Sequence, residues 1–83
     1  MDIDKEVLTV LDAALGLQGR GLRFSTETRL LGALPELDSL AMVALIGALE
    51  ERFGIVVADE DIDGSLFATV GSLAAFVRPR LAT

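Results

Sequence analysis

The stretch LDSLAMVALIGALEERF, residues 37–53, decides how this chain folds. Asp38 is a residue type that caps helix N-termini, and Pro35 prevents a helix from continuing backwards into the preceding segment. The predicted helix therefore begins at Ser39 and ends at Phe53.

This helix is apolar around almost its whole circumference. Its predicted inner stripe has helical spacing, and its other faces carry alanine, methionine and leucine with no charge before Glu50. A chain of 83 residues cannot easily surround such a helix on every side, so we expect part of its second face to contact a partner. The predicted inner stripe consists of Leu40, Val43, Ile46, Leu49 and Phe53.

The first part of the chain combines a helix with a long loop. Apolar residues at helical spacing, with acids near the start, predict a helix over about 3–16. Glycines then break the pattern, so residues 17–38 are predicted to form a loop. Four apolar side chains of that loop are expected to pin it onto the helices, namely Phe24, Leu30, Leu31 and Leu34.

The last part of the chain predicts two further helices. One is short, over about 61–67, and the other covers 70–78 behind the capping residue Thr69. We therefore expect one all-α domain over residues 1–83. It is a small four-helix bundle of three main helices and one short helix, with a long first loop.

Composition excludes several classes of function. Seven basic and thirteen acidic residues give a net charge of -6, which disfavours nucleic acid and favours basic protein partners. The acidic N-terminus lacks the basic region of a secretory signal, and no apolar run approaches the roughly 20 residues that span a bilayer. We expect a soluble, cytoplasmic monomer without a membrane span.

Ser39 is the best candidate for chemistry. The chain has no histidine and no cysteine that could activate it as a nucleophile, so we do not expect an enzyme. The more economical interpretation is that another protein modifies Ser39, because the free amides and dipole at a helix N-terminus favour an attached phosphodiester. The alternative is an unmodified interaction module, in which Asp38 and Ser39 only start a helix.

The tetrapeptide Leu37-Asp38-Ser39-Leu40, followed by ALEERFGI over 48–55, resembles the second helix of acyl carrier proteins. The resemblance covers nearly the whole chain and implies the four-helix carrier fold. It also implies a 4'-phosphopantetheine arm on Ser39, with Asp38 and Leu40 as the surrounding motif. Acyl groups would be carried as thioesters on the arm, and the implied partners are a phosphopantetheinyl transferase and acyl-loading and acyl-transfer enzymes.

Two finer assignments accompany this resemblance. An aminoacyl or peptidyl carrier stays open as an alternative, although an aspartate before the serine is more typical of acyl carriers. The strings PELDS over 35–39 and TVGSL over 69–73 are also similar to stand-alone carriers of bacterial exosortase and exopolysaccharide systems.

The chain departs from the family pattern in two places. Glu36 stands three positions before the serine, where many carriers have glycine. The first half of the second helix is apolar, where carriers that serve fatty-acid enzymes usually display acids. We therefore predict docking through Leu40, Met42 and Ala44, with the acids Glu36, Glu50 and Glu51 at the edges of the surface.

Two further patterns concern ligands. The segment DEDIDG over 59–64 matches the first half of a calcium loop, but Val70 occupies the position of the required glutamate, so no metal site is predicted. Aliphatic and aromatic side chains are expected to form the walls of a pocket that admits an acyl chain. These are Val43, Ile46, Leu66 and Phe76.

Overall fold

The structure, a computed structural model, describes residues 2–81. Its three α-helices are α1 (Ile3–Leu15), α2 (Ser39–Phe53) and α3 (Val70–Val77). Short 3-10 turns cover Arg20–Arg23, Asp59–Asp61 and Arg78–Arg80. Within the described residues the chain forms no strand beyond an isolated antiparallel bridge between residues 29 and 69, so the predicted all-α class is confirmed.

Helix α1 begins and ends at residues suited to those positions. The side chain of Asp2 accepts a hydrogen bond from the Lys5 N–H, which satisfies one of the free amides of the first turn. Gly16 ends the helix in the left-handed region at φ 64, a conformation that glycine adopts without steric cost. Between these caps, helical spacing buries Val7, Leu8, Val10, Leu11 and Leu15.

Helix α2 has the predicted bounds but not the predicted orientation. Its buried residues are Leu45, Ile46 and Leu49, and these share one common core with buried residues of α1 and α3. Leu40 and Val43 were placed on the inner stripe, yet their exposed fractions are 82% and 73%. The inner stripe is therefore rotated from the predicted one, because a helix that is apolar on nearly every face leaves its orientation to tertiary packing.

The long loop is held against the helices at several points. Leu17, Leu30 and Leu37 are buried in the core. The Leu30 N–H donates to the Ala68 carbonyl at 3.0 Å, and the Gly71 N–H donates to the Thr26 carbonyl at 2.8 Å. Of the four predicted anchors, Leu30 is buried and Phe24 and Leu34 pack against the core, whereas Leu31 is 40% exposed.

The carboxylate of Asp12 fixes the start of this loop. It accepts the N–H groups of Gly19 at 2.9 Å and Gly21 at 3.0 Å. A side chain at position 21 would place its Cβ 3.0 Å from the Asp12 Cβ, which is tighter than ordinary packing, so Asp12 would have to shift by a few tenths of an ångström to admit it. These contacts tie the loop to α1.

The predicted short helix over about 61–67 is corrected by the structure. The chain instead makes a 3-10 turn over Asp59–Asp61, followed by non-helical turns. The Asp63 carboxylate accepts from the N–H and hydroxyl of Ser65 and from the Leu66 N–H. These local side-chain bonds give the backbone an alternative to helical pairing.

Candidate functional site

Ser39 is the first residue of α2, and it is exposed. Asp38 precedes it in extended conformation and caps the helix, since its Oδ1 accepts the Ala41 N–H at 2.8 Å. The Asp38 carbonyl accepts the Met42 N–H at 2.9 Å as the first helical bond. Over residues 2–81 the Ser39 hydroxyl meets no hydrogen-bond partner, so it stands free for reaction at the helix start.

The helix start also favours a negative group on that hydroxyl. The N–H groups of Ser39 and Leu40 have no acceptor earlier in the helix, and the first turn of α2 contains no acidic residue. Free amides and the positive end of the helix dipole stabilise phosphate groups. The site therefore fits a phosphodiester attached through Ser39.

The segment before Ser39 is held in place. Leu37 is buried, and the Arg20 guanidinium donates to the Glu36 carboxylate from across the loop. This hydrogen bond, together with the positive charge of Arg20, lowers the pKa of Glu36 below the usual glutamate value. Glu36 is therefore engaged within the chain and does not extend freely towards a partner.

An exposed apolar strip follows Ser39 along α2. We call it the outer face and define it as Leu40, Val43, Ala44 and Gly47, all of which are exposed. The prediction from sequence missed Val43 because it assigned this residue to the inner stripe. Met42, predicted to dock partners, is half-buried and packs against the core.

The two remaining predicted docking acids differ in their surroundings. Glu50 is half-buried, and its carboxylate accepts the Val57 N–H at 3.0 Å, which ties the following connector to α2. Glu51 is exposed at the rim of a groove of about 440 Å³ between α1 and α2. Glu51 therefore remains available at the surface, whereas Glu50 supports the fold.

The predicted acyl pocket is not open at the predicted place. Ile46 and Leu66 lie in the packed core, and Val43 faces outward. The groove near Glu51 is instead lined mainly by Val10 and small residues of α1 and α2. Phe76, the fourth predicted wall, is half-buried against the core, so within residues 2–81 the four side chains do not all line one opening.

The acidic side chains of the described residues do not come together as a metal site. Over residues 2–81, no group of three or more acidic side chains is arranged to hold a metal ion. Asp63 is engaged by Ser65 and Leu66, and hydrogen bonds from both residues lower its pKa.

None of the helices in the described part of the chain combines the length and apolar character that a membrane crossing requires.

A free serine hydroxyl at the start of an apolar helix fits a carrier for a covalently attached group. The family model described as a phosphopantetheine attachment site matches residues 5–77. The chain belongs to this family. It is a carrier and not an enzyme, and its cofactor is a covalently attached 4'-phosphopantetheine.

Comparison with solved structures supports the same assignment. The chain is similar to a holo acyl carrier protein from Nitrosomonas europaea, with 42% sequence identity and a TM-score of 0.88. The similarity covers 95% of each chain, which confirms the predicted carrier fold. No curated protein matches the chain.

Proposed function

We propose that the Ser39 hydroxyl is the attachment point of the phosphopantetheine arm and that the arm carries acyl groups. The observation that carries the proposal is the exposed hydroxyl on the first residue of α2. Acyl cargo rests on the likeness to the holo acyl carrier protein, which is 42% identical. When attached, the arm supplies a thiol that holds its cargo as a thioester, the sulfur chemistry that a chain without cysteine lacks.

The chain's own residues present this group to other enzymes. The Asp38 cap fixes the first turn of α2, so that the hydroxyl of Ser39 is held at the surface. The first-turn amides stabilise the attached phosphate, and the packed core keeps this helix end in one position. Partner enzymes supply the catalysis.

Mass spectrometry of the intact protein tests the attachment. Incubation with coenzyme A and a permissive phosphopantetheinyl transferase is expected to add one phosphopantetheine to the wild type and none to Ser39→Ala. Ser25→Ala is the matched control, because Ser25 is also exposed, and it should be modified like the wild type. An adduct on Ser39→Ala would contradict the assignment.

We further propose that partners dock on the outer face, with Glu51 at its edge. Leu40 and Val43 are largely exposed, and an apolar patch next to the attachment point suits a partner that buries apolar surface. The partners are the transferase and enzymes that load or transfer acyl groups. The monomeric state, the cytoplasmic location and the exosortase-associated subfamily stay predictions.

Two matched valines test the docking surface. Val43→Asp is expected to raise the KM of the transferase for the carrier by about fivefold or more, since it places a charge in the apolar contact. Val56→Asp is the control, because Val56 is 81% exposed in the connector after α2. Equal effects of the two substitutions would contradict docking on the outer face.

A further inference from the structure

A line of contacts leads from α1 to the segment before α2. Asp12 on α1 accepts the N–H groups of Gly19 and Gly21, the residues on either side of Arg20. The N–H and Nε of Arg20 both donate to the Leu17 carbonyl, at 3.1 and 3.2 Å, and Leu17 is fully buried. The backbone and the start of the guanidinium group of Arg20 are therefore held against the core.

The guanidinium group of Arg20 contacts the carboxylate of Glu36. Its Nη2 donates to the Glu36 Oε2, and the other carboxylate oxygen is buried without a hydrogen-bond partner within the described part of the chain. Glu36 lies directly before Leu37, which is buried and donates its N–H to the Leu34 carbonyl at 3.1 Å. The segment just before Ser39 is therefore held at two points, by the buried side chain of Leu37 and by the ion pair between Glu36 and Arg20.

We propose that Arg20 is a positioning residue for the modification of Ser39, acting through its ion pair with Glu36. The inference rests on the proposed attachment of the arm to Ser39. A segment held in one conformation loses less conformational entropy when the transferase binds it, so the ion pair favours formation of the productive complex. Through its ion pair with Arg20, Glu36 connects the segment before Ser39 to the turn that Asp12 of α1 holds in place.

This role differs from the predicted steering role of Glu36. A steering carboxylate acts on the partner directly, so its removal should slow modification while removal of Arg20 should not. An ion pair that positions the segment requires both residues, and removal of either should have the same effect. The pair is partly exposed, at 59% for Arg20 and 30% for Glu36, so we expect a modest effect of about two- to fivefold.

A double-mutant cycle tests the inference. The transferase modifies three variants, Arg20→Gln, Glu36→Gln and the double variant, at a temperature where all of them are folded. The kcat/KM of the transferase for each variant is measured from the intact mass of the protein. Each single variant is expected to lower kcat/KM by about two- to fivefold, and the double variant no further. Arg23→Gln is the control and should match the wild type, because Arg23 is exposed and belongs to the same 3-10 turn.

Hydrogen exchange provides a second readout that does not depend on the transferase. The Leu37 amide is expected to exchange faster in Arg20→Gln, with little change in the amides of α3. Unchanged kcat/KM in Arg20→Gln, or effects that multiply in the double variant, would overturn the inference. If the wild type acquires no arm, the proposed attachment to Ser39 is wrong. The exchange rate of the Leu37 amide then still decides whether Arg20 orders the segment before α2.

Discussion

Asp12 is expected to be one of the most important polar residues for the stability of this fold. Asp12→Ala removes the acceptor of the Gly19 and Gly21 N–H groups, at 2.9 and 3.0 Å. Gly21 is buried and Gly19 half-buried, so water replaces the lost bonds only partly. With about 1 to 3 kcal/mol for each unsatisfied buried donor, and the lower value for Gly19, the loss is about 2 to 4 kcal/mol. In a domain of this size, a loss of about 2 to 4 kcal/mol lowers Tm by roughly 8 to 32 °C.

Urea unfolding followed by far-UV circular dichroism measures this loss. Asp12→Asn is the informative partner variant, because its carbonyl oxygen can still accept both N–H groups, and it should cost about half as much. Asp59→Ala serves as the control, since Asp59 is exposed, and it should stay within about 0.5 kcal/mol of the wild type. If Asp12→Ala loses less than about 1 kcal/mol, the proposed role of Asp12 is refuted.

Three further predictions follow from the site and the core. Asp38→Ala removes the cap of α2 and should lower the free energy of unfolding by about 0.5 to 2 kcal/mol in urea titrations. Leu45→Ala, at a fully buried position, should lower the free energy of unfolding by about 2 to 5 kcal/mol. Val43→Ala, on the outer face, should change it by less than about 0.5 kcal/mol. Similar losses in the two variants would refute the orientation of α2. The pKa of Glu36 is lowered by Arg20, so its stabilising contribution is present above pH 4.5 and is lost as the pH falls through the lowered pKa. Melting curves between neutral pH and pH 3 should show this loss in the wild type beyond that of Glu36→Gln, and identical pH dependence would contradict it.

Local signals were enough to predict where α2 begins and which residue stands there. Asp38 and Pro35 act within a few residues of the helix start, and the capping bond to Ala41 forms as the aspartate predicts. The family resemblance starts from the same stretch around Ser39, although it covers nearly the whole chain. The start of α2 is therefore the part of the fold that the sequence predicts best.

The orientation of α2 could not be predicted in the same way. Periodicity reveals the buried face only when the opposite face is polar, and α2 carries apolar residues on nearly every face. Leu40 and Val43 are as apolar as Leu45, and only packing within the common core distinguishes the buried Leu45 from the two exposed residues. Met42 was consequently assigned to the docking surface although it packs against the core.

Contacts between residues distant in sequence were also beyond prediction. Arg20 and Glu36 are 16 positions apart, and Asp12 and Gly21 are 9 apart. Each pair forms only because the loop folds back on α1. At short range, the side-chain bonds of Asp63 compete with the predicted helix over about 61–67.

Peptide mapping of the modified protein tests the central claim most directly. Trypsin cleaves after Arg29 and Arg52, and the peptide over residues 30–52 contains Ser39 as its only hydroxyl-bearing residue. In protein purified from its native cell, the phosphopantetheine arm is expected on this peptide and on no other. An arm on a different peptide, or a carrier without any arm, would contradict the account.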